Sequence, residues 1–170
     1  ESKLRALMGY DNKMIRRFTE MAVQNPKRVV FAEANHANML SAAVTAYQEG
    51  ICFPILLGNT DYIHSVAEQN GLNLDGLEIV NLRSGEETER REKYAKILAQ
   101  KRQREGITLD EAREKMFDRN YFGMMMVEVG DADAFITGTY TKYTETIQIA
   151  KDVIGIREGH NHFGAMHIMN

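Results

Sequence analysis

The chain has 170 residues, of which 44% are hydrophobic and 26% charged, and its formal net charge at pH 7 is −3. An apolar fraction of this size excludes an extended disordered protein, and the mild acidity argues against non-specific nucleic-acid binding. Nowhere do 18 or more apolar residues follow one another, so the sequence predicts no membrane-spanning helix and no membrane partner. The one cysteine, Cys52, excludes an intrachain disulfide, and we expect a reducing, cytoplasmic setting.

Stretches with apolar residues at helical spacing alternate along the chain with short apolar, β-branched runs. The predicted helices cover 12–24, 36–49, 60–70, 84–104, a stretch beginning at 108, a methionine-rich stretch ending at 130, and 144–153. The predicted strands cover 28–33, 51–58, 77–82 and 134–137, and the tail 156–170 is a candidate for one more.

Apolar strands separated by helices are typical of a parallel sheet that is covered on both faces. The sequence therefore predicts an α/β fold with three layers, in which a parallel sheet is flanked by helices. Two capping boxes are predicted to begin helices, one formed by Ser84 with Glu87 and one by Thr108 with Glu111. Asn120 is predicted to cap the methionine-rich helix.

The methionine-rich helix precedes the last predicted strand. Phe122, Met125, Met126 and Val129 recur at three- and four-residue spacing, and Gly130 can end the helix. This pattern favours packing in the core, or against a partner subunit, over any chemical role.

The residues that follow the predicted strands are the candidates for a ligand site, because ligands bind at the carboxyl ends of parallel strands. These segments are 33–36, 58–60 and 137–141. The last offers threonine hydroxyls and backbone amides just before a helix N-terminus, which favours anions. An ordinary strand-to-helix turn explains the same residues, so both interpretations stay open.

Two further groups of residues are candidates for a binding site. The basic run 101–104 ends a helix, where positive charge suits the helix dipole, although Arg102 or Arg104 could also grip a phosphate. His160, His162 and His167 lie close together, but no cysteine or acidic residue has the spacing of a further zinc ligand, so a metal site is not predicted. No nucleotide-binding motif and no catalytic residue can be assigned from these residues.

Three segments, in the same order, resemble the phosphotransacetylase and phosphotransbutyrylase family. RVVFAEANHANMLSAAVTAYQEG with PILLGN resembles the opening β-α-β unit of that family, and KRQREGITLDEA resembles its LRK-x-KG-x-T segment. YFGMMMVEVGDADAFITG resembles its signature YF-x-x-MM-x-x-x-G-x-x-D-x-x-x-SG. The resemblance implies two α/β subdomains around a coenzyme A cleft in a homodimer.

On this resemblance the chain covers the first half of the family fold. Residues 1–27 are interpreted as a linker and leading helix, 28–155 as the first α/β subdomain, and 156–170 as the start of a truncated second subdomain. The ligand is expected to be acetyl-CoA or CoA, and most catalytic residues are expected beyond Asn170.

The leading helix and the closing segment also resemble large bacterial malic enzymes, in which a phosphotransacetylase-like domain follows the NADP-dependent, malate-decarboxylating part. The resemblance implies that the domain itself is silent in catalysis, senses acetyl-CoA and supports assembly. NADP and a divalent metal, Mg or Mn, are implied for that parent enzyme and not for this stretch.

The resemblance also assigns ligand-binding residues, namely Arg102, Thr137, Gly138, Thr144, Thr146 and Gln148. Gln148 stands where the family has an arginine, and losing a charge-assisted contact of about 1.5–3 kcal/mol favours a sensor over a transferase. Two alternatives remain, a phosphate acetyltransferase and a structural dimerisation module.

Overall fold

The computed structural model describes residues 13–164 and 166. The helices are α1 (Lys13–Gln24), α2 (Ala37–Gln48), α3 (Thr60–Gln69), α4 (Thr88–Arg102), α5 (Leu109–Lys115), α6 (Arg119–Val129) and α7 (Tyr143–Val153). The strands are β1 (Lys27–Phe31), β2 (Cys52–Leu57), β3 (Glu78–Val80) and β4 (Ala134–Ile136), and a short 3-10 helix, Gln103–Glu105, follows α4.

The four strands form one parallel sheet in the order β3-β2-β1-β4. The chain first builds the sheet outward from β1 through β2 to β3 and then returns to place β4 on the other side of β1. Pro54 fits into β2 because β3 pairs with β2 only from Ile55 onward. At Pro54 the strand therefore has a ladder partner on one side only, where proline is tolerated.

Two apolar clusters cover the two faces of the sheet. On one face Val30, Ile55 and Leu57 pack with helices α4 to α7, and on the other Phe31 and Leu56 pack with α2 and α3. Alternate residues of each strand point to opposite faces, which is why neighbours such as Val30 and Phe31 belong to different clusters. The predicted three-layer α/β architecture is confirmed.

The methionine-rich helix α6 lies in the larger cluster. Met124, Met125 and Met126 are all buried, so the helix is apolar on more than one face. Gly123 lets the helix approach the sheet, because a Cβ at this position would lie 2.5 Å from the Phe135 ring.

Two predicted helix starts are wrong, and so is the predicted tail strand over its described residues. Helix α6 is capped by Asp118, whose carboxylate accepts from the N–H groups of Asn120 and Tyr121, because Asn120 is already inside the first turn. Helix α4 begins at Thr88 after Glu87 rather than with a capping box at Ser84. The box at Thr108 and Glu111 is confirmed.

The tail forms no strand over residues 154–164, where its side chains are mostly exposed and it pairs with neither edge strand of the sheet, β3 or β4. Ala165 and residues 167–170 lie outside the described residues. Among the helices of the described part of the chain, none combines the length and the apolar character needed to cross a membrane.

The burial of α6 predicts that two methionine-to-alanine substitutions differ strongly in their effect on the free energy of unfolding. Met125→Ala removes a side chain with no exposed surface and is expected to lower the free energy of unfolding by about 2–5 kcal/mol. Met21→Ala, in helix α1, removes a side chain that is 58% exposed and is expected to change it by about 0.5 kcal/mol or less. Urea unfolding measures both, and equal losses would contradict the assignment of α6 to the core.

Candidate ligand site at the switch point of the sheet

The strand order reverses beside β1, and this reversal opens a cleft at the carboxyl ends of β1 and β4. In open parallel sheets such a switch point is the usual place for a ligand. The cleft has a volume of about 320 Å³. Its lining comes from the segment after β1, the start of α6, the loop that joins β4 to α7, and α7 itself, namely Glu33, His36, Asp118, Arg119, Asn120, Tyr140, Thr141, Glu145 and Ile149.

Glu33 anchors one wall of this cleft. Its side chain is 1% exposed, and its carboxylate accepts hydrogen bonds from the Thr139 N–H at 3.0 Å, the Tyr140 N–H at 3.1 Å and the Thr141 hydroxyl at 2.7 Å. A buried carboxylate needs such partners to remain charged. The loop between β4 and α7 is therefore tied to the end of β1.

These hydrogen bonds decide the charge state of Glu33. Burial alone raises the pKa of the carboxyl, but the bonds from Thr141, Tyr140 and Thr139 together outweigh burial and leave the pKa below its ordinary value. Glu33 is thus ionised at neutral pH, and two backbone amides of the loop are already committed to it.

The other wall depends on Thr137 and Gly138. The Thr137 hydroxyl donates to Asn120 Oδ1 at 3.0 Å, which satisfies an asparagine that is only 4% exposed. Gly138 has a φ of +106°, a conformation that residues with a side chain rarely adopt. The Thr-Gly pair therefore turns the chain sharply out of β4 and over the cleft.

Tyr140 and Arg119 complete the mouth of the cleft. The Tyr140 ring stacks on the His36 ring with centroids 3.5 Å apart. The Arg119 guanidinium has one weak hydrogen bond, to the Ala32 carbonyl at 3.4 Å, and forms no ion pair with any described residue. It is the cation in the lining that is available to an anionic ligand.

The six residues assigned by resemblance fall into two groups at opposite ends of α7. Thr137, Gly138, Thr144 and Thr146 lie before or within the first turns of the helix, beside the cleft. Arg102 and Gln148 instead meet around Asp152, near the end of the helix. None of the six is among the residues that line the cleft, and Arg102 lies at the other end of α7 from the first four.

Arg102 is committed to the C-terminus of α7. Its guanidinium donates to the Asp152 carbonyl at 2.6 Å, the Lys151 carbonyl at 2.7 Å and the Glu105 carboxylate at 2.6 Å. A Cβ at Gly155 would lie 2.8 Å from Arg102 Nη2, so the following turn wraps closely around the guanidinium. Its geometry is that of a helix cap, and the predicted role in ligand binding stays a prediction.

Asp152 connects this end of α7 to α6. Its carboxylate accepts from Gln148 at 2.8 Å through one oxygen and from the Tyr121 hydroxyl at 2.6 Å through the other. Burial and this bond to an anion raise the pKa of Tyr121, which therefore stays a neutral donor. Gln148 is exposed, so its outer face remains open to a ligand.

Sequence reasoning missed several residues of the cleft, among them Glu33, Asn120 and Arg119. It placed Glu33 at a strand end but gave it no role, it assigned Asn120 only to capping, and it did not single out Arg119. A carboxylate directly after an apolar strand was the available signal for Glu33. For metals, residues 13–164 and 166 contain no group of three or more His, Cys, Asp or Glu side chains arranged to hold an ion, and His167 lies outside them.

Known proteins match the part of the chain that contains this cleft. A family model for phosphate acetyl/butaryl transferases matches residues 13–170. The NADP-dependent malic enzyme of Rhizobium meliloti is 31% identical over 153 residues, which are 88% of this chain and 20% of that protein. The phosphate acetyltransferase of Thermoanaerobacterium thermosaccharolyticum is 35% identical over 147 residues, which are 86% of this chain and 43% of that protein.

A solved phosphotransacetylase from Streptococcus pyogenes has the same fold, with a TM-score of 0.78 and 23% identity over 89% of this chain and 45% of its own. The chain thus spans a fifth of the malic enzyme and less than half of the phosphate acetyltransferase. It is homologous to the phosphotransacetylase-like part of the former and to the latter, which confirms the resemblance found in the sequence.

The anchoring role of Glu33 predicts a pH-dependent loss of stability. Glu33→Gln is expected to lower the free energy of unfolding at pH 7 by about 1.5–3 kcal/mol, because the amide replaces one accepting oxygen by a donor. The folded-state pKa lies below the ordinary value of 4.5. The stabilisation is therefore present above that value and is lost as the pH falls through the folded-state pKa, so the difference between wild type and variant shrinks there.

Urea unfolding at pH 7 and pH 3 tests this expectation. The matched control is Glu86→Gln, an exposed carboxyl without a hydrogen bond or ion pair among the described residues, which is expected to have little effect at either pH. If Glu33→Gln lowers the free energy of unfolding equally at both pH values, the charge of Glu33 is not what stabilises the loop.

Arg102 yields a second prediction. Arg102→Gln leaves two carbonyls of α7 without a charged donor and is expected to lower the free energy of unfolding by about 1.5–3 kcal/mol. Arg104→Gln, two residues away, is the control because Arg104 is exposed and contacts no described partner. If both variants are as stable as wild type in urea, Arg102 is free to serve a ligand instead.

Proposed function

Because the chain belongs to the phosphate acetyl/butaryl transferase family, we propose that it is the first half of a phosphotransacetylase-like domain whose switch-point cleft binds an acyl-CoA, with acetyl-CoA as the ligand. In this proposal the domain is part of an NADP-dependent malic enzyme and senses acetyl-CoA without transferring its acyl group. Self-association of the domain, as in the family it resembles, belongs to the same proposal.

The observation that carries the proposal is the anchored loop between β4 and α7. The loop is held on Glu33 by three hydrogen bonds and presents Tyr140, Thr141 and the first turn of α7 to the switch-point cleft. A helix N-terminus stabilises negative charge, and Arg119 across the cleft adds a cation, while Lys142 at the N-cap pairs with Glu145 of the lining at 3.8 Å. A preformed loop of this kind binds a ligand without first having to be ordered.

Gln148 supports the choice of sensing over transfer. Where the family resemblance calls for an arginine, the chain has a neutral amide that donates to Asp152. An amide cannot supply the charge-assisted contact that an arginine makes with a phosphate. Binding can survive this loss, whereas a transfer reaction loses stabilisation of its transition state as well.

The rest of the malic enzyme activity would lie in other parts of a longer protein. Oxidation and decarboxylation of malate to pyruvate and CO2 need NADP and a divalent metal, Mg or Mn, and those groups are assigned here to the parent enzyme. For regulation, acetyl-CoA must bind two states of that enzyme with different affinities.

Phosphate acetyl transfer is the second candidate, and the identity of 35% to a phosphate acetyltransferase favours it. Calorimetric titration of acetyl-CoA into the longest soluble form of the protein, with an assay for acetyl phosphate, separates the candidates. Saturable binding without turnover is expected. Turnover would replace the sensor by a transferase, and neither binding nor turnover would leave a structural module.

Restoring a cation at Gln148 tests the argument from that residue. In this proposal the ligand extends from the cleft along α7 as far as residue 148, so Gln148→Arg is expected to tighten acetyl-CoA binding by about tenfold to a hundredfold, which corresponds to one charge-assisted contact. The control is Gln69→Arg, which adds the same charge on α3, a helix on the opposite face of the sheet. If both variants tighten acetyl-CoA binding by the same factor, the added positive charge is responsible and its position at residue 148 is not.

A further inference from the structure

A second cleft lies at the carboxyl ends of β2 and β3, on the other side of Arg119 from the switch point. Its volume is about 430 Å³. Polar side chains dominate its lining, which includes Asn35, Asn59, Asn81, Arg83, Phe117 and Arg119. The proposed acyl-CoA site does not use the first five of these residues.

Two of the asparagines present donors to this cleft. Asn59 Oδ1 accepts the Tyr62 N–H at 2.9 Å, as the cap of α3, and Asn81 Oδ1 accepts the Arg83 N–H at 3.2 Å. Because both carbonyl oxygens are engaged in the backbone, the two NH2 groups are the parts left to a ligand. Within the described residues these NH2 groups have no acceptor.

The third asparagine presents an acceptor. Asn35 Oδ1 is buried and has no hydrogen-bond partner among the described residues. It reaches this position because residue 58 is glycine, since a Cβ there would lie 2.2 Å from the oxygen. A buried acceptor without a partner costs about 1–3 kcal/mol, which a ligand hydroxyl in the cleft would recover.

Two guanidinium groups provide positive charge. Arg83 is exposed, and its side chain makes no ion pair or hydrogen bond with any described residue, while Arg119 has only the weak bond to Ala32. The acidic side chain in the lining, Asp118, already accepts from two N–H groups at the start of α6. Its charge offsets one of the two guanidinium charges, so two positive groups and one negative group leave the lining with a net charge of +1.

We propose that this cleft is a second binding site and that it takes a small hydroxylated oxyanion, a phosphate ester or a hydroxycarboxylate. Arg83, Arg119 and the NH2 groups of Asn59 and Asn81 bind the anionic group, and Asn35 Oδ1 accepts a hydroxyl of the ligand. The proposal can fail separately from acyl-CoA binding, because all its donors except the shared Arg119 lie at the ends of β2 and β3.

Titration of the full chain followed by ¹H–¹⁵N correlation NMR tests the site. The probes are glycerol 1-phosphate, glycerate and inorganic phosphate, so the first two distinguish a phosphate ester from a hydroxycarboxylate. Saturable shifts are expected at the amides of Gly58, Asn59 and Asn81. Glycerol 1-phosphate or glycerate is expected to bind at least fivefold more tightly than inorganic phosphate, because only they offer a hydroxyl.

The variant Arg83→Gln is expected to weaken binding of the better probe at least tenfold. It changes an exposed side chain without partners, so the fold is not at risk, and Arg104→Gln is the matched control with unchanged affinity. Non-saturating shifts, shifts confined to Thr137–Thr141, or equal weakening by both variants would overturn the proposal. Any of these results leaves the acetyl-CoA titration unaffected, so the two proposals fail separately.

Discussion

The carboxylate of Glu33 is the contact on which the ligand-binding edge of this protein depends. It joins the end of β1 to a loop more than 100 residues later, at the point where the strand order of the sheet reverses. A buried charge without partners is costly, so removal of the loop contacts would destabilise β1 as well as the loop. The same contact that stabilises the fold thus sets the shape of the switch-point cleft.

The fold was predictable because the relevant patterns are local. Apolar runs such as 28–33 and the spacing in α6 identify strands and helices without knowledge of their neighbours. The missed helix starts differ from the predictions by only a few residues, since several polar residues compete for one cap. The tail was predicted from its apolar residues alone, but a strand also has to pair with a neighbouring strand, and a sequence pattern does not reveal whether that pairing forms.

The site was less predictable because its contacts join distant parts of the chain. Thr137 and Gly138 were found through resemblance, whereas the partner of Thr137, Asn120, lies in another element. Arg102 shows the opposite case. The motif assigns this arginine to a ligand, but its guanidinium donates to backbone carbonyls about 50 residues later in the chain. Residue type indicates which chemistry is possible, but only the packing of α6 and α7 determines which side chains remain available to a ligand.

Arg119 has a consequence for how the two clefts would behave when both are occupied. Its guanidinium lines both of them, and one guanidinium cannot direct the same donors to two anions at once. A ligand in either cleft would therefore lower the affinity of the other. Thermodynamic linkage makes the two effects equal, so the domain would report the ratio of two metabolites rather than the concentration of one.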